Sequence, residues 1–277
     1  MGEIAEEIAE TTITSAVDDV LYIIAPAYNE EETIEMFVND WYPVIERHPG
    51  NGRSRLLIVN DGSRDNTYAR LLALQEGRPY LSVLSKPNGG HGPAVLFGYR
   101  KALAMAKEDA ADLMHVFLFQ TDTDGQTVPS EFETFWNMRS RYEAVFGERT
   151  HRGDGKSRAF VEHVLCRILR HRFGVSLRDA NAPFRLMRAD YVTRYLPLIP
   201  EDYNLPNVLL TVFGAYYQNN IAFSTITFRP RQGGKNSINV RKIVGTGIKA
   251  LRDFTRISRA LPDEAPQPAP GSADKHA

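Results

Sequence analysis

Asp122 and Asp124 stand two residues apart, with Gln126 two further on, at the end of an apolar run that reads as a buried strand (Met114, Val116, Phe117, Leu118, Phe119). In extended chain, residues i and i+2 point to one side. Two carboxylates held together repel unless a cation lies between them. Carboxylate oxygens, with an amide oxygen from Gln126, are hard ligands that suit Mg²⁺ or Mn²⁺. Such an ion takes its remaining oxygens from substrate, typically a diphosphate. The competing reading is a loop with two solvated aspartates or helix caps, and the position at a strand end favours the metal.

Two further groups carry chemistry. Asp61 follows a strand in "VNDGSRDNT". A carboxylate there can accept hydrogen bonds from the ring N–H of a nucleobase, uracil or guanine, while Asp65 and Thr67 suit a turn and cap. In "FRPRQGGKNSIN", Arg231 and Lys235 surround two glycines. A basic loop of this kind can close over a diphosphate and neutralise charge on a leaving group. Two common nucleotide motifs fail. "GGHGPAV" has Val95 where G-x-G-x-x-G needs its third glycine, and "GGKNS" has Arg229 where a P-loop needs its first.

The elements that must position these residues alternate. Strands are expected at 20–25, 55–60, 80–85 and 112–120, with helices between them. That order predicts an α/β fold with a mostly parallel central sheet and helices on both faces. Ligands of such sheets bind beyond the carboxyl ends of the strands. Pro26, Tyr28 and Glu30 follow the first strand, Asp61 the second, Lys86 to Gly92 the third, and Asp122 and Asp124 the fourth. Four polar clusters on one edge imply a site. Further on, a basic helix is expected at 157–174, a short strand at "FRLMR", helical segments to about 217 and a strand at 221–231.

"IIAPAYNEEETI", "LIVNDGSRDNT", "KPNGGHGPAVLFGYRKAL" and "QTDTDGQTVPSEF" occur in this order, and the resemblance they carry extends over residues 20–240. The set resembles a family 2 glycosyltransferase of the GT-A, Rossmann-like fold. It is most similar to the polyprenyl-phosphate branch of dolichyl-phosphate mannose synthases and bactoprenol glucosyltransferases. "GER", "RDANAPFRLMR" and "FRPRQGGKNSIN" support that placement. The resemblance implies a nucleobase and ribose pocket lined by Pro26, Tyr28 and Glu30, with Asp61 reading the base and Lys86 among the donor-binding residues. It further implies a divalent ion on Asp122, Asp124 and Gln126, donor diphosphate near Arg231 and Lys235, and acceptor phosphate near Arg149 and Arg158. Asp179 matches an acid before the "FR" element, and Asp202, in "PEDYN", resembles the Glu-Asp base motif of other members. Either is a candidate general base. Asn60 departs from an aspartate common in the family. Pro183 replaces a glycine or aspartate, which bears on the acceptor.

The bulk numbers bound the partners. With 33 Lys and Arg against 34 Asp and Glu, the net charge of −1 excludes a general affinity for nucleic acid. The basic residues concentrate at 149–188 and 229–259, facing an anion such as a phosphate or a membrane surface. Lone Cys166 excludes a disulfide framework and reads as a core residue. Residues 1–19 lack the basic start and apolar middle of a signal peptide, and no run approaches the roughly 18 apolar residues of a span. The expectation is a cytoplasmic protein, peripheral on the inner membrane face. The expected organisation is an N-terminal extension (1–19), a GT-A domain (20–237), a basic amphipathic helix (238–260) and a disordered tail (261–277). Three functions follow: an inverting, metal-dependent transferase moving sugar from a UDP- or GDP-sugar to a polyprenyl phosphate; the same chemistry with a soluble or glycan hydroxyl acceptor, which Pro183 favours; or a non-catalytic nucleotide-sugar-binding protein.

Overall fold

The computed structural model describes residues 19–152, 156–230 and 252–266. Seven strands form one sheet: β1 (Val20–Ala27), β2 (Arg55–Asn60), β3 (Leu81–Ser85), β4 (Val116–Thr121), β5 (Ala144–Arg152), β6 (Phe184–Arg188) and β7 (Ile221–Phe228). The spatial order is β3-β2-β1-β4-β6-β5-β7. β1 to β4 are mutually parallel where they pair, and β5 pairs parallel with β7. β6 is antiparallel to both β4 and β5. This is the mostly parallel α/β sheet expected from the alternation.

The alternation of side chains sorts the core into two layers. Tyr22, Ile24, Leu57, Leu118 and Met187 point to one face. There they meet α3 (His91–Glu108), α5 (Lys156–Phe173), α6 (Ala189–Tyr195) and α7 (Pro206–Tyr216). Leu21, Ile23, Ile58, Phe119 and Leu186 point to the other face. They meet α1 (Ile34–Arg47), α2 (Thr67–Gln75) and α4 (Phe132–Met138). Strands covered on both faces lose all contact with water and read as continuous apolar runs, which is why β1, β2 and β4 were legible.

Two expectations are corrected. The fourth strand does not begin at residue 112. Asp112 accepts a hydrogen bond from the Met114 backbone N–H at 3.0 Å and closes a 3₁₀ turn over Leu113–His115, leaving Met114 exposed. β4 therefore starts at Val116. β5 was not anticipated at all, because "AVFGERTHR" offers three residues of apolar signal before turning charged. Its place is fixed by pairing on both sides, β6 through Ala144–Phe146 and β7 along its length.

Of the proposed extensions, only parts are described. Residues 1–18, 231–251 and 267–277 lie outside, so the N-terminal extension, Arg231, Lys235 and most of the 238–260 helix and the tail are not placed. Residues 252–260 are helical (α8) and bury Phe254 and Ile257 in the first core layer. That end of the predicted helix packs on the domain. Among the described residues, no helix is long and apolar enough to cross a membrane.

Candidate active site

The carboxyl ends of β1 to β4 come together because the strands are parallel and adjacent. The loops after β1 and β2 are laced to each other. Asn29 N donates to Ser63 Oγ at 3.1 Å, Arg64 N to Asn29 Oδ1 at 2.8 Å, and Glu30 N to Thr67 Oγ1 at 2.8 Å. Glu30 is buried, its Oε2 accepting from Thr33 Oγ1 at 2.8 Å, whereas Tyr28 is exposed. Pro26 lies in β1 itself, and its carbonyl accepts from Thr123 Oγ1 at 3.0 Å. Asp65 accepts from Thr67 N at 3.0 Å, a turn contact one residue before the Asn66 N-cap of α2.

Asp61 organises the loop after β3. Its carboxylate accepts from Lys86 Nζ at 2.6 Å, Gly89 N at 3.0 Å and Gly90 N at 2.8 Å, and the Asp61 side chain is only 3% accessible. Asn88 Nδ2 donates to the Asp61 carbonyl at 2.9 Å. Gly62 has φ +64°, and a Cβ there would come within 2.7 Å of Asn88 N, so glycine is needed for the approach. Asp61 and Lys86, both candidate donor-binding residues, thus form an ion pair in which the carboxylate is buried and the ammonium half-buried.

That loop delivers His91 to the fourth strand. His91 Nε2 lies 2.9 Å from Asp122 Oδ1. The His91 ring is half exposed, and although partial loss of solvent opposes its charged form, the carboxylates of Asp122, Asp124 and Asp61 outweigh that and raise its pKa. Asp122 Oδ1 also accepts from Gln120 Nε2 at 3.1 Å. Between the two aspartates Thr123 is buried, while Asp122 and Asp124 are partly exposed. Asp124 Oδ1 accepts from Gln126 N at 3.2 Å. The Gln126 side chain is buried and donates from Nε2 to the Arg229 carbonyl at 2.9 Å, and Arg229 N returns a bond to Gln126 O at 2.8 Å. Gln126 therefore anchors the end of β7, and with it the start of the "RPRQGG" segment, next to the two aspartates.

The donor set fits a hard divalent ion shared with substrate. Two carboxylates are present, and both hydrogen bonds to Asp122 fall on one oxygen. Among the described residues, no three His, Cys, Asp or Glu side chains are grouped to enclose an ion. A metal here would take its other ligands from water and diphosphate, as Mg²⁺ and Mn²⁺ do.

The remaining candidates belong to the second half of the chain: Arg149 near the end of β5, Asp179 before β6 and Asp202 in the loop before α7. Asp179 is 3% exposed and forms a bidentate pair with Arg149, Nε to Oδ2 at 2.7 Å and Nη2 to Oδ1 at 2.9 Å. Arg149 also reaches Glu162 Oε2 at 3.5 Å and stacks 5.2 Å from the Phe228 ring. It borders a cavity of about 450 Å³ shared with Arg167, Arg170, Ser176 and Arg178. Arg158 falls in the first turn of α5, and its side chain is outside the described set. Asp202 is exposed and borders a cavity of about 540 Å³ with Tyr203, Asn204, Asp253 and Arg256. The same loop abuts the start of α3: a Cβ at Gly92 would meet the Tyr203 carbonyl at 2.2 Å.

Buried Arg185 was not foreseen. It is 1% exposed and donates to the carbonyls of Ala182 and Asn207 at 2.8 and 2.9 Å and to Thr211 Oγ1 at 3.3 Å. Burial lowers its pKa, opposed by Tyr99 and Asp179.

The family model for Glycosyl transferase family 2 matches residues 22–196, which contain the whole β1–β4 edge. The chain belongs to that family. Among this family 2 protein's relatives is the UDP-N-acetylglucosamine–dolichyl-phosphate N-acetylglucosaminyltransferase of Methanococcus voltae, 31% identical over 127 residues, 41% of this chain and 45% of the relative. Another is the dolichyl-phosphate beta-glucosyltransferase ALG5D of Trichomonas vaginalis, 27% identical over 201 residues, 67% of this chain and 58% of the relative. The chain thus spans about half the length of these relatives, which carry names of the dolichyl-phosphate branch. Glucosyl-3-phosphoglycerate synthase from Mycobacterium tuberculosis, solved with Mn²⁺, UDP-glucose and phosphoglyceric acid, superposes with a TM-score of 0.62 at 16% identity over 90% of this chain and 83% of that one. At that identity the likeness concerns the GT-A fold alone.

Proposed function

We propose that this family 2 protein transfers a sugar, with inversion, from a nucleoside diphosphate sugar to a polyprenyl phosphate. The observation that carries the donor half is the convergence of Glu30, the Asp61–Lys86 pair, Asp122 and Asp124 at four adjacent strand ends. In this reading Pro26, Tyr28, Glu30 and Asp61 line the nucleoside pocket. Asp122 and Asp124 hold the divalent ion, and Gln126, anchored on Arg229, either adds an amide oxygen or sets the β7 end. When bound, Mg²⁺ or Mn²⁺ stabilises negative charge on the departing diphosphate. Arg231 and Lys235 are assigned to the same charge, while Lys86 serves the donor site through its pair with Asp61. The names of the dolichyl-phosphate relatives support a lipid phosphate acceptor, with Arg149 and Arg158 as its cations. A phosphate nucleophile is already ionised and needs little help from a base.

A second reading, with a hydroxyl acceptor, is favoured by one observation: the fork of Arg149 is already taken by Asp179. An acceptor phosphate would have to compete with that carboxylate. The same pairing makes Asp179 a poor proton acceptor, so Asp202 becomes the preferred base for a hydroxyl. The Mycobacterium tuberculosis structure, solved with phosphoglyceric acid, is compatible with a small acceptor on this fold.

The test is transfer from a panel of labelled UDP- and GDP-sugars, with Mn²⁺ or Mg²⁺, with and without polyprenyl phosphate. Label entering the organic phase supports the lipid acceptor. Donor turnover without lipid labelling supports the hydroxyl reading, and binding without turnover supports a nucleotide-sugar-binding protein. Asp124→Ala with undiminished turnover would sink the metal assignment.

A further inference from the structure

We propose that Asn207 and Gln120 are positioning residues: a buried amide relay that fixes the orientation of Asp122 and so decides which of its oxygens meets the ligand. The inference rests on the proposed donor site. Gln120 is fully buried in β4, and Asn207 is 2% exposed in the first turn of α7. Asn207 Nδ2 donates to Gln120 Oε1 at 2.9 Å, and Gln120 Nε2 donates to Asp122 Oδ1 at 3.1 Å. An ionised carboxylate only accepts. Asp122 therefore dictates that Gln120 turn its nitrogen outward and its oxygen toward Asn207, and Asn207 must answer with its nitrogen.

That polarity has a visible cost. Asn207 Oδ1 is buried with no hydrogen-bond partner among the described residues. Buried acceptors are rarely left so. Turning the amide over would set its oxygen against Gln120 Oε1, so the orphan atom is the consequence of a relay whose direction is fixed at Asp122.

The far end of the relay is rigid. Gln120 and Arg185 are directly opposed across the β4–β6 ladder. From there the Arg185 guanidinium clamps the Asn207 carbonyl at 2.9 Å, and Thr211 Oγ1 donates to the same carbonyl at 3.0 Å. The N-terminal turn of α7, and with it the Asn207 side chain, is thereby tied to the strand that carries Gln120. At the near end, Gln120 and His91 both occupy Asp122 Oδ1, leaving Oδ2 as the oxygen for an incoming ligand.

Two substitutions separate positioning from stability. Asn207→Asp keeps the shape but can only accept while ionised. Gln120 must then turn its amide, placing Oε1 against Asp122 Oδ1, two acceptors face to face. Arg185 nearby offsets the new charge. Asn207→Leu removes the donor but leaves Gln120 free to keep its bond to Asp122, while losing buried polar contacts. Sugar transfer, thermal melting and Mn²⁺ binding with UDP or GDP by electron paramagnetic resonance are measured on the full chain. The expected result is an inverted order. Asn207→Asp melts closer to wild type yet loses more than tenfold in kcat/KM and in Mn²⁺ affinity. Asn207→Leu melts lower yet keeps more of both. Activity and Mn²⁺ affinity that simply follow melting temperature, or an Asn207→Asp variant equal to wild type, overturn the relay while the donor-site reading stands. A wild-type chain that neither transfers sugar nor binds Mn²⁺ with either nucleotide overturns both.

Discussion

Lys86 Nζ lies 2.6 Å from Asp61 Oδ1, inside a site where the carboxylate is nearly inaccessible to water. The pair joins the end of β2 to the loop after β3, and the amides of Gly89 and Gly90 complete it. Removing the carboxylate leaves a half-buried ammonium and two loop amides short of their acceptor, at a cost of about 1–3 kcal/mol. Asp61→Asn is expected to lower stability by that order in urea unfolding and to accelerate amide exchange at Gly89 and Gly90. Unchanged exchange at those two amides would mean that Asp61 does not hold the loop.

Gly92 admits the 203–204 backbone to the first turn of α3. A methyl group there would meet the Tyr203 carbonyl at 2.2 Å and the Asn204 Cα at 2.6 Å. Backbone atoms cannot rotate aside as a side chain can, so Gly92→Ala should cost about 1–3 kcal/mol. It should also raise the KM for the donor, because His91 follows the displaced loop. A variant with wild-type melting and KM would contradict the tight approach.

His48 packs against the rings of Trp136 and Phe132, with centroids 4.6 and 5.5 Å away, and 3.1 Å from Glu133 Oε1. Burial lowers its pKa, and Glu133 only partly restores it. The unfolded chain therefore takes up this proton first as the pH falls below about 6.5. His48 supports the fold above that pH, and the support is lost as the pH drops through the folded value. His48→Gln should flatten the decline in unfolding free energy on the acid side. An unaltered slope would show that other groups carry it.

Cys166 Sγ is 3.6 Å from Glu162 Oε1 and packs beside the core. Burial, then the neighbouring Glu162, pushes its thiol up to about 12. Only the thiolate is a good nucleophile. Native protein at pH 8 should react with iodoacetamide far more slowly than the urea-unfolded chain, followed by mass spectrometry. Equal rates would place the thiol in an ordinary environment.

Much of the polar cluster at the β1–β4 strand ends was legible because its signals are local. A strand end followed by Asp122 and Asp124, or by Asp61, shows in a few consecutive residues. Contacts that depend on chain crossings were not. His91 meets Asp122 across 31 residues and Asn207 meets Gln120 across 87, and neither spacing has a sequence signature. Asp179 was visible as an acid, but only the fold reveals that Arg149 already occupies it. β5 was hidden for a similar reason: its pairing comes from β6 and β7, later in the chain, and its own residues look like a charged loop.

The reversal of β6 makes the sheet a join between two consecutive stretches of chain. Residues 20–128 supply β1 to β4 and the described residues proposed to hold the donor, whereas β5 to β7 come wholly from 144–228. Against β5 the reversed strand pairs over only three residues, and against β4 over five. A sheet seamed this way lends itself to recombination. The second stretch of another family 2 member could be spliced on after α4 to exchange acceptors while the sugar donor stays the same. The hydrogen bond from the Asn207 amide to the Gln120 amide crosses that seam, so a graft that placed a carboxylate at position 207 would turn Gln120 over and misaim Asp122.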